Sequence, residues 1–172
     1  ILTLISIVSL LGITSCQKDS DVFEEENLPQ PAVFTYKATI SGSVWTATQN
    51  ISLLVKNSSS SPNKEMRILA NSSDGKQLGI RLADASTGVS GDGIAVRTYS
   101  LGIGSSDATF AYSTNGSNSY VGAYGTVTIT KSDATNKKLS GTFSCTLVNT
   151  AGDTLRVTGG VITDLPYTIL EQ

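Results

Sequence analysis

The chain has 172 residues, with 12 Lys and Arg against 14 Asp and Glu, two cysteines and no histidine. Without an imidazole, Ser-His-Asp and Cys-His nucleophilic centres are excluded and the commonest metal ligand is missing. The near-neutral charge supplies no basic face for nucleic acid.

Residues 1–15, ILTLISIVSLLGITS, carry no charge. The run is too short for a membrane span, which needs about 20 helical residues, and has the length of the apolar region of an export signal. No Met or basic leader precedes Ile1, so the first few residues of that signal are expected to be missing. The stretch ITSC, residues 13–16, resembles a bacterial lipobox. The resemblance implies that Cys16, whose thiolate is a good nucleophile, receives lipid and becomes the mature N-terminus. An ordinary secretory signal with a coincidental cysteine, or a short buried helix, are the alternatives.

The next residues turn polar and acidic. Gln17, Lys18, Asp19 and Asp21, followed by Glu24 to Glu26, resemble the acidic surface-export signal of lipoproteins of the Bacteroidota. That likeness implies a protein lipid-anchored in the outer membrane and facing the cell surface. The plainer reading is a solvated tether, since charge runs are most often no more than that. Residues 17–26 have a net charge of −4, which leaves about +2 for the remainder of a chain totalling −2. Residues 16–32 are therefore read as a lipidated cysteine with a flexible acidic tether, and residues 33–172 as one folded domain.

From residue 33 the rhythm of apolar side chains is two. Phe34, Tyr36, Ala38 and Ile40 alternate with polar neighbours. So do Ile51, Leu53 and Val55, then Met66, Ile68 and Ala70, then Leu78, Ile80 and Leu82. Further short strands are expected around Ile94 and Val96, Phe110 and Tyr112, Val127 and Ile129, Phe143 to Leu147, and Leu155 and Val157. Turn signals separate them: Ser41-Gly42, KNSSSSPNK, Asp74-Gly75, STGVSGDG, Asn115-Gly116, SDATNKK and the stretch from Asn149 to Asp153. No amphipathic helix is expected after Cys16. The pattern predicts an all-β antiparallel meander of about nine or ten strands, forming a β-sandwich or an open barrel.

The stretches ATISGSVWTA (38–47), TYSLG (98–102), YGTVTITK (124–131) and LSGTFSC (139–145) resemble a family of small Bacteroidota lipoproteins with one all-β domain and no assigned function. The resemblance implies the fold and the address, and no catalytic residues.

Candidate chemistry is sparse. Cys145 alternates with Phe143 and Leu147, so it reads as a buried, quiet thiol. Asp74, Asp84, Asp92, Asp107, Asp133, Asp153 and Asp164 sit mostly in turns, where aspartate bonds its own backbone. Asp84 and Asp92 share a loop that matches no calcium-loop spacing. No metal site and no cofactor is expected. Tyr112, Tyr120 and Tyr124, with Phe110, bracket the Asn115-Gly116 turn and form a candidate platform for a sugar ring. With a two-residue turn, Tyr112 pairs with Ser119 and the aromatics divide between the two faces. Trp45 is expected to anchor the core. Asp153-Thr154-Leu155 resembles an acceptor motif for O-glycosylation in the Bacteroidota, making Thr154 a candidate modification site. The expected function is a non-catalytic cell-envelope lipoprotein, a binding or accessory module for a glycan or an envelope protein. The alternative is a structural coat lipoprotein with no specific ligand.

Overall fold

The computed structural model describes residues 33–172, apart from 60, 61, 87–90, 103 and 115–117. The signal segment, Cys16 and the export-signal residues Gln17, Lys18, Asp19 and Asp21 lie outside the described residues. From Ala32 to Gln172 the chain forms one compact unit. Its strands are β1 (Thr35–Ile40), β2 (Ser43–Lys56), β3 (Lys64–Ser72), β4 (Gln77–Asp84), β5 (Thr98–Gly102), β6 (Ser105–Ser106), β7 (Ala108–Thr114), β8 (Asn118–Asp133), β9 (Lys138–Val148), β10 (Thr154–Pro166) and β11 (Thr168–Glu171).

Eight of these close into a barrel. The ring runs β1-β2-β3-β4-β7-β8-β9-β10 and back to β1, every neighbouring pair antiparallel. The expected antiparallel meander is therefore present and takes the barrel form, closed rather than left open, whereas the sandwich is not found. The β1–β10 pairing, which joins Thr35 to Thr163 and Ile40 to Val157, removes the free edges that a sandwich would keep. β5, β6 and β11 lie off the ring. β5 pairs with the far half of β8, and β11 runs parallel to β2. The expected strand at Ile94 and Val96 is instead irregular, although Ile94 is buried.

Closure needs strong curvature, and the register shifts supply it. The β8–β9 ladder slips between Gly122 and Tyr124 and again between Ile129 and Lys131; β9–β10 slips at Val157/Gly160 and Ile162/Leu165. Close approach of the backbones accompanies this bending. A β-carbon on Gly160 would lie 2.5 Å from the Phe143 carbonyl oxygen, and one on Gly125 2.5 Å from the Cys145 β-carbon. Only glycine fits at either position.

Alternation sends one face of each strand inward. Tyr36, Trp45, Leu54, Met66, Ile80, Phe110, Val127, Phe143 and Leu147 join a single continuous core. The Tyr36 ring is held edge-on between Trp45 and Phe143, at centroid distances of 5.2 and 5.5 Å. One end of the barrel is covered by the segment 91–97. Lys64 Nζ donates to the Gly93 carbonyl (2.7 Å), Ala95 N–H to Asp84 (2.8 Å) and Tyr167 hydroxyl to the Asp92 carbonyl (2.6 Å). Lys137 and Lys56 hold the Asp92 carboxylate at 2.5 and 3.2 Å.

Candidate ligand cleft at the barrel mouth

In an up-and-down barrel alternate connections fall at the same end. The β1–β2, β3–β4, β7–β8 and β9–β10 connections therefore gather at the end opposite the 91–97 segment. The β1–β2 hairpin turns at Ser41 and Gly42, both at positive φ (45° and 87°), the geometry of a two-residue primed turn. The β3–β4 turn is set by Gly75 at φ 79° and closed by Gly75 N–H donating to the Ser72 carbonyl (3.0 Å).

Between these two turns lies a cleft of about 280 Å³, lined by Ile40, Ser43 to Thr46, Ser72 to Asp74, Lys76 and Tyr112. Trp45 and Tyr112 form its apolar side, 3% and 6% exposed. The indole N–H of Trp45 donates to the Lys76 carbonyl (3.4 Å), tying one hairpin to the other. At the rim, Lys76 Nζ stands 2.6 Å from Asp74. The Lys76 ammonium, together with a hydrogen bond from the Ser72 hydroxyl, lowers the Asp74 carboxyl to about 2, while Asp74 raises Lys76. Burial raises the Tyr112 phenol, and the Lys76 charge partly offsets that. The cleft thus brings a charge-compensated pair and several hydroxyl-bearing residues together with the nearly buried Trp45 and Tyr112. Such a lining can hydrogen-bond a polyhydroxylated or amide-rich ligand without demanding that it carry charge.

The tyrosine platform does not assemble. Tyr112 and Tyr120 face each other across β7 and β8 on the inner side, with ring centroids 6.3 Å apart, while Tyr124 faces outward and is 61% exposed. Two features overturn the expected arrangement. Thr114 pairs with Asn118, so the connection has three residues and Tyr112 meets Tyr120 rather than Ser119. The register shift between Gly122 and Tyr124 then turns Tyr124 to the opposite face. The cleft was missed because its parts, Trp45 and Asp74 to Lys76, lie on different hairpins.

Cys145 is buried and free, and burial raises its thiol to about 12. Asp84 accepts from Ser86 N–H, the Ser86 hydroxyl and Ala95 N–H, while Asp92 meets Lys56 and Lys137, so each carboxylate has donors within the protein. Asp107 binds Arg97, Asp133 binds Asn136, Asp153 binds Asn149 and Asp164 faces Lys131. Among the described residues no three His, Cys, Asp or Glu side chains gather as a metal site would require. Thr154 is exposed at the start of β10. No known protein family, curated protein or solved structure matches the chain.

Proposed function

We propose that the chain is a non-catalytic envelope lipoprotein whose barrel is a binding module, with the mouth cleft as its contact site for a glycan or an envelope protein. The observation that carries this reading is the cleft itself. Asp74 and Lys76 cancel in charge, the Ser72 hydroxyl donates to Asp74, Ser43, Thr46 and Ser73 line the same cleft, and Trp45 and Tyr112 close the apolar side. That mixture of polar groups and aromatic residues favours binding over turnover, because Asp74 is engaged by Lys76 and Ser72. The address rests on the lipobox-like ITSC and the acidic run that follows it. The site is tested by screening the purified protein on a glycan array and following hits by calorimetry. Saturable binding that weakens at least tenfold in Asp74→Asn and Lys76→Gln supports the cleft. Binding unaffected by both would place the ligand elsewhere, and no saturable ligand at all would favour a coat protein. Membrane fractionation of Cys16→Ala tests the anchor: release from the membrane is expected, since each buried acyl CH₂ contributes about 0.8 kcal/mol.

A further inference from the structure

The outer wall carries a second concave feature, away from the mouth. Register places Ile51 opposite Leu69, Leu69 opposite Gly79, Gly79 opposite Ala111, Ala111 opposite Val121, and Val121 opposite Val148. The flanking residues Ile68, Leu78, Ile80, Phe110 and Tyr112 are core, so alternation turns this row outward. Ile51, Leu69 and Val121 are 64%, 42% and 59% exposed. The row crosses six strands, a span of roughly 24 Å at about 4.8 Å per strand. On β3, β4 and β7 it is one residue wide, with Arg67, Arg81 and Thr109 adjoining it on the side away from the mouth, while Leu53 widens it on β2. The adjoining row on the mouth side, from Gln49 to Ser119, is amide and hydroxyl.

At the middle of the row the missing side chain of Gly79 leaves a notch of about 240 Å³, walled by Arg67, Arg81, Thr109 and Ala111. Arg67 and Arg81 stand directly opposite each other on β3 and β4. Both bind the single buried carboxylate of Glu65. Like charges in that position oppose each other, and one carboxylate cannot neutralise two guanidiniums. The trio therefore keeps one net positive charge beside an apolar notch.

We propose that this wall is a docking surface for a protein partner that inserts a large apolar or aromatic side chain over Gly79 and sets a carboxylate against Arg67 and Arg81. An apolar centre inside a polar border is the anatomy of a protein contact, with the filled notch as its hot spot. At the notch itself, acyl chains would meet Arg67 and Arg81 on one side and Asn71 and Gln77 on the other, across a strip one residue wide. The spare positive charge selects an acidic partner segment. This surface is separate from the mouth cleft and does not depend on it.

The test starts from a phage-displayed random dodecapeptide library selected on the purified full chain, with a synthetic consensus peptide then measured by calorimetry. The expected consensus carries Phe, Trp or Leu within two residues of Asp or Glu. Its Kd is expected to weaken at least tenfold in Gly79→Leu and in Arg81→Gln, and to be unchanged in Asp74→Asn. Gly79→Leu is a fair block, because a β-carbon there meets its nearest atoms at 3.7–3.8 Å, ordinary contact. Gly79→Ala, which only begins to fill the notch, is expected to have an intermediate effect. Selected peptides without an acidic residue, binding indifferent to Gly79→Leu, or no enrichment over a Gly79→Leu counter-selection would overturn the proposal. So would a concentration-dependent dimer of the wild type that Gly79→Leu abolishes, since the occupant would then be a second copy.

Discussion

Tyr36→Phe is expected to stabilise the barrel. The Tyr36 side chain is fully buried, and its hydroxyl has no hydrogen-bond partner among the described residues. Burying a hydroxyl unpaired costs about 1–3 kcal/mol. Phenylalanine removes that group and keeps the ring, so the edge-on contacts with Trp45 and Phe143 survive. A gain of about 1–2 kcal/mol would raise the melting temperature by roughly 3–8 °C in a domain of this size. It would move the urea midpoint up by about 0.5–1 M. Tyr36→Leu is the control: it also deletes the hydroxyl but forfeits two ring pairs worth about 0.5–1.5 kcal/mol each. Alkaline pH adds a second readout. Burial holds the Tyr36 phenol well above its ordinary 10.0, so the unfolded chain loses this proton first and stability falls as pH rises past that value. The Phe variant lacks this loss, and its advantage should widen with pH. A Phe variant less stable than the wild type, or an advantage that shrinks at alkaline pH, would refute the reasoning and mean that the hydroxyl has a partner.

Gly160→Ala should lower stability by about 1–3 kcal/mol or more in urea titrations, because the added β-carbon overlaps the Phe143 carbonyl and ring. A water-soluble maleimide should label Cys145 slowly in the native protein and quickly in urea, since the thiol is buried and its ionisation is suppressed up to about 12. Cys145→Ser should cost about 1–3 kcal/mol by burying a hydroxyl in place of sulfur. At the acid end, Asp74, Asp92 and Asp133 are lowered by Lys76, Lys137 and Asn136 in turn. The stability they contribute is present above the usual carboxylate range and is lost as pH falls from there through their lowered folded values, about 2 for Asp74, so the melting temperature should drop below about pH 4.

The period-two pattern was enough to read most strands of this domain, because each ring strand has one face in a common core. Tyr36-Ala38-Ile40 and Phe143-Cys145-Leu147 show it directly. Closure was not legible. A sandwich and a barrel bury the same alternation, and the difference rests on whether β1 meets β10, a pairing of residues more than a hundred positions apart. The bulges were hidden for a related reason. At Gly160 the glycine marks a close approach to Phe143, a partner that lies on another strand and that the glycine itself does not name. Ile94 and Val96 misled in the other direction. Their alternation suggests a strand, but the segment spends its backbone groups on Asp84 and Ser132 across the barrel end.

The candidate sites divide along the same physical line. Loop position in a meander follows from parity alone: the first, third, fifth and seventh connections of the ring share an end whatever the strand lengths. Ser41-Gly42 and Asp74-Gly75 were both recognisable as turns, and counting strands between them would have put Trp45 and the Asp74–Lys76 pair at one mouth. A contact on the wall cannot be found this way. It depends on register, and register accumulates every slip along the path. From Ile51 to Val121 the row crosses four pairings without an intervening bulge, so Leu69, Gly79 and Ala111 stay level. One residue further along β8 that continuity ends, and the shift between Gly122 and Tyr124 changes which face each later side chain takes. The tyrosine platform failed at that slip, because Tyr120 and Tyr124 are four residues apart and a strict period of two would have kept them on one face.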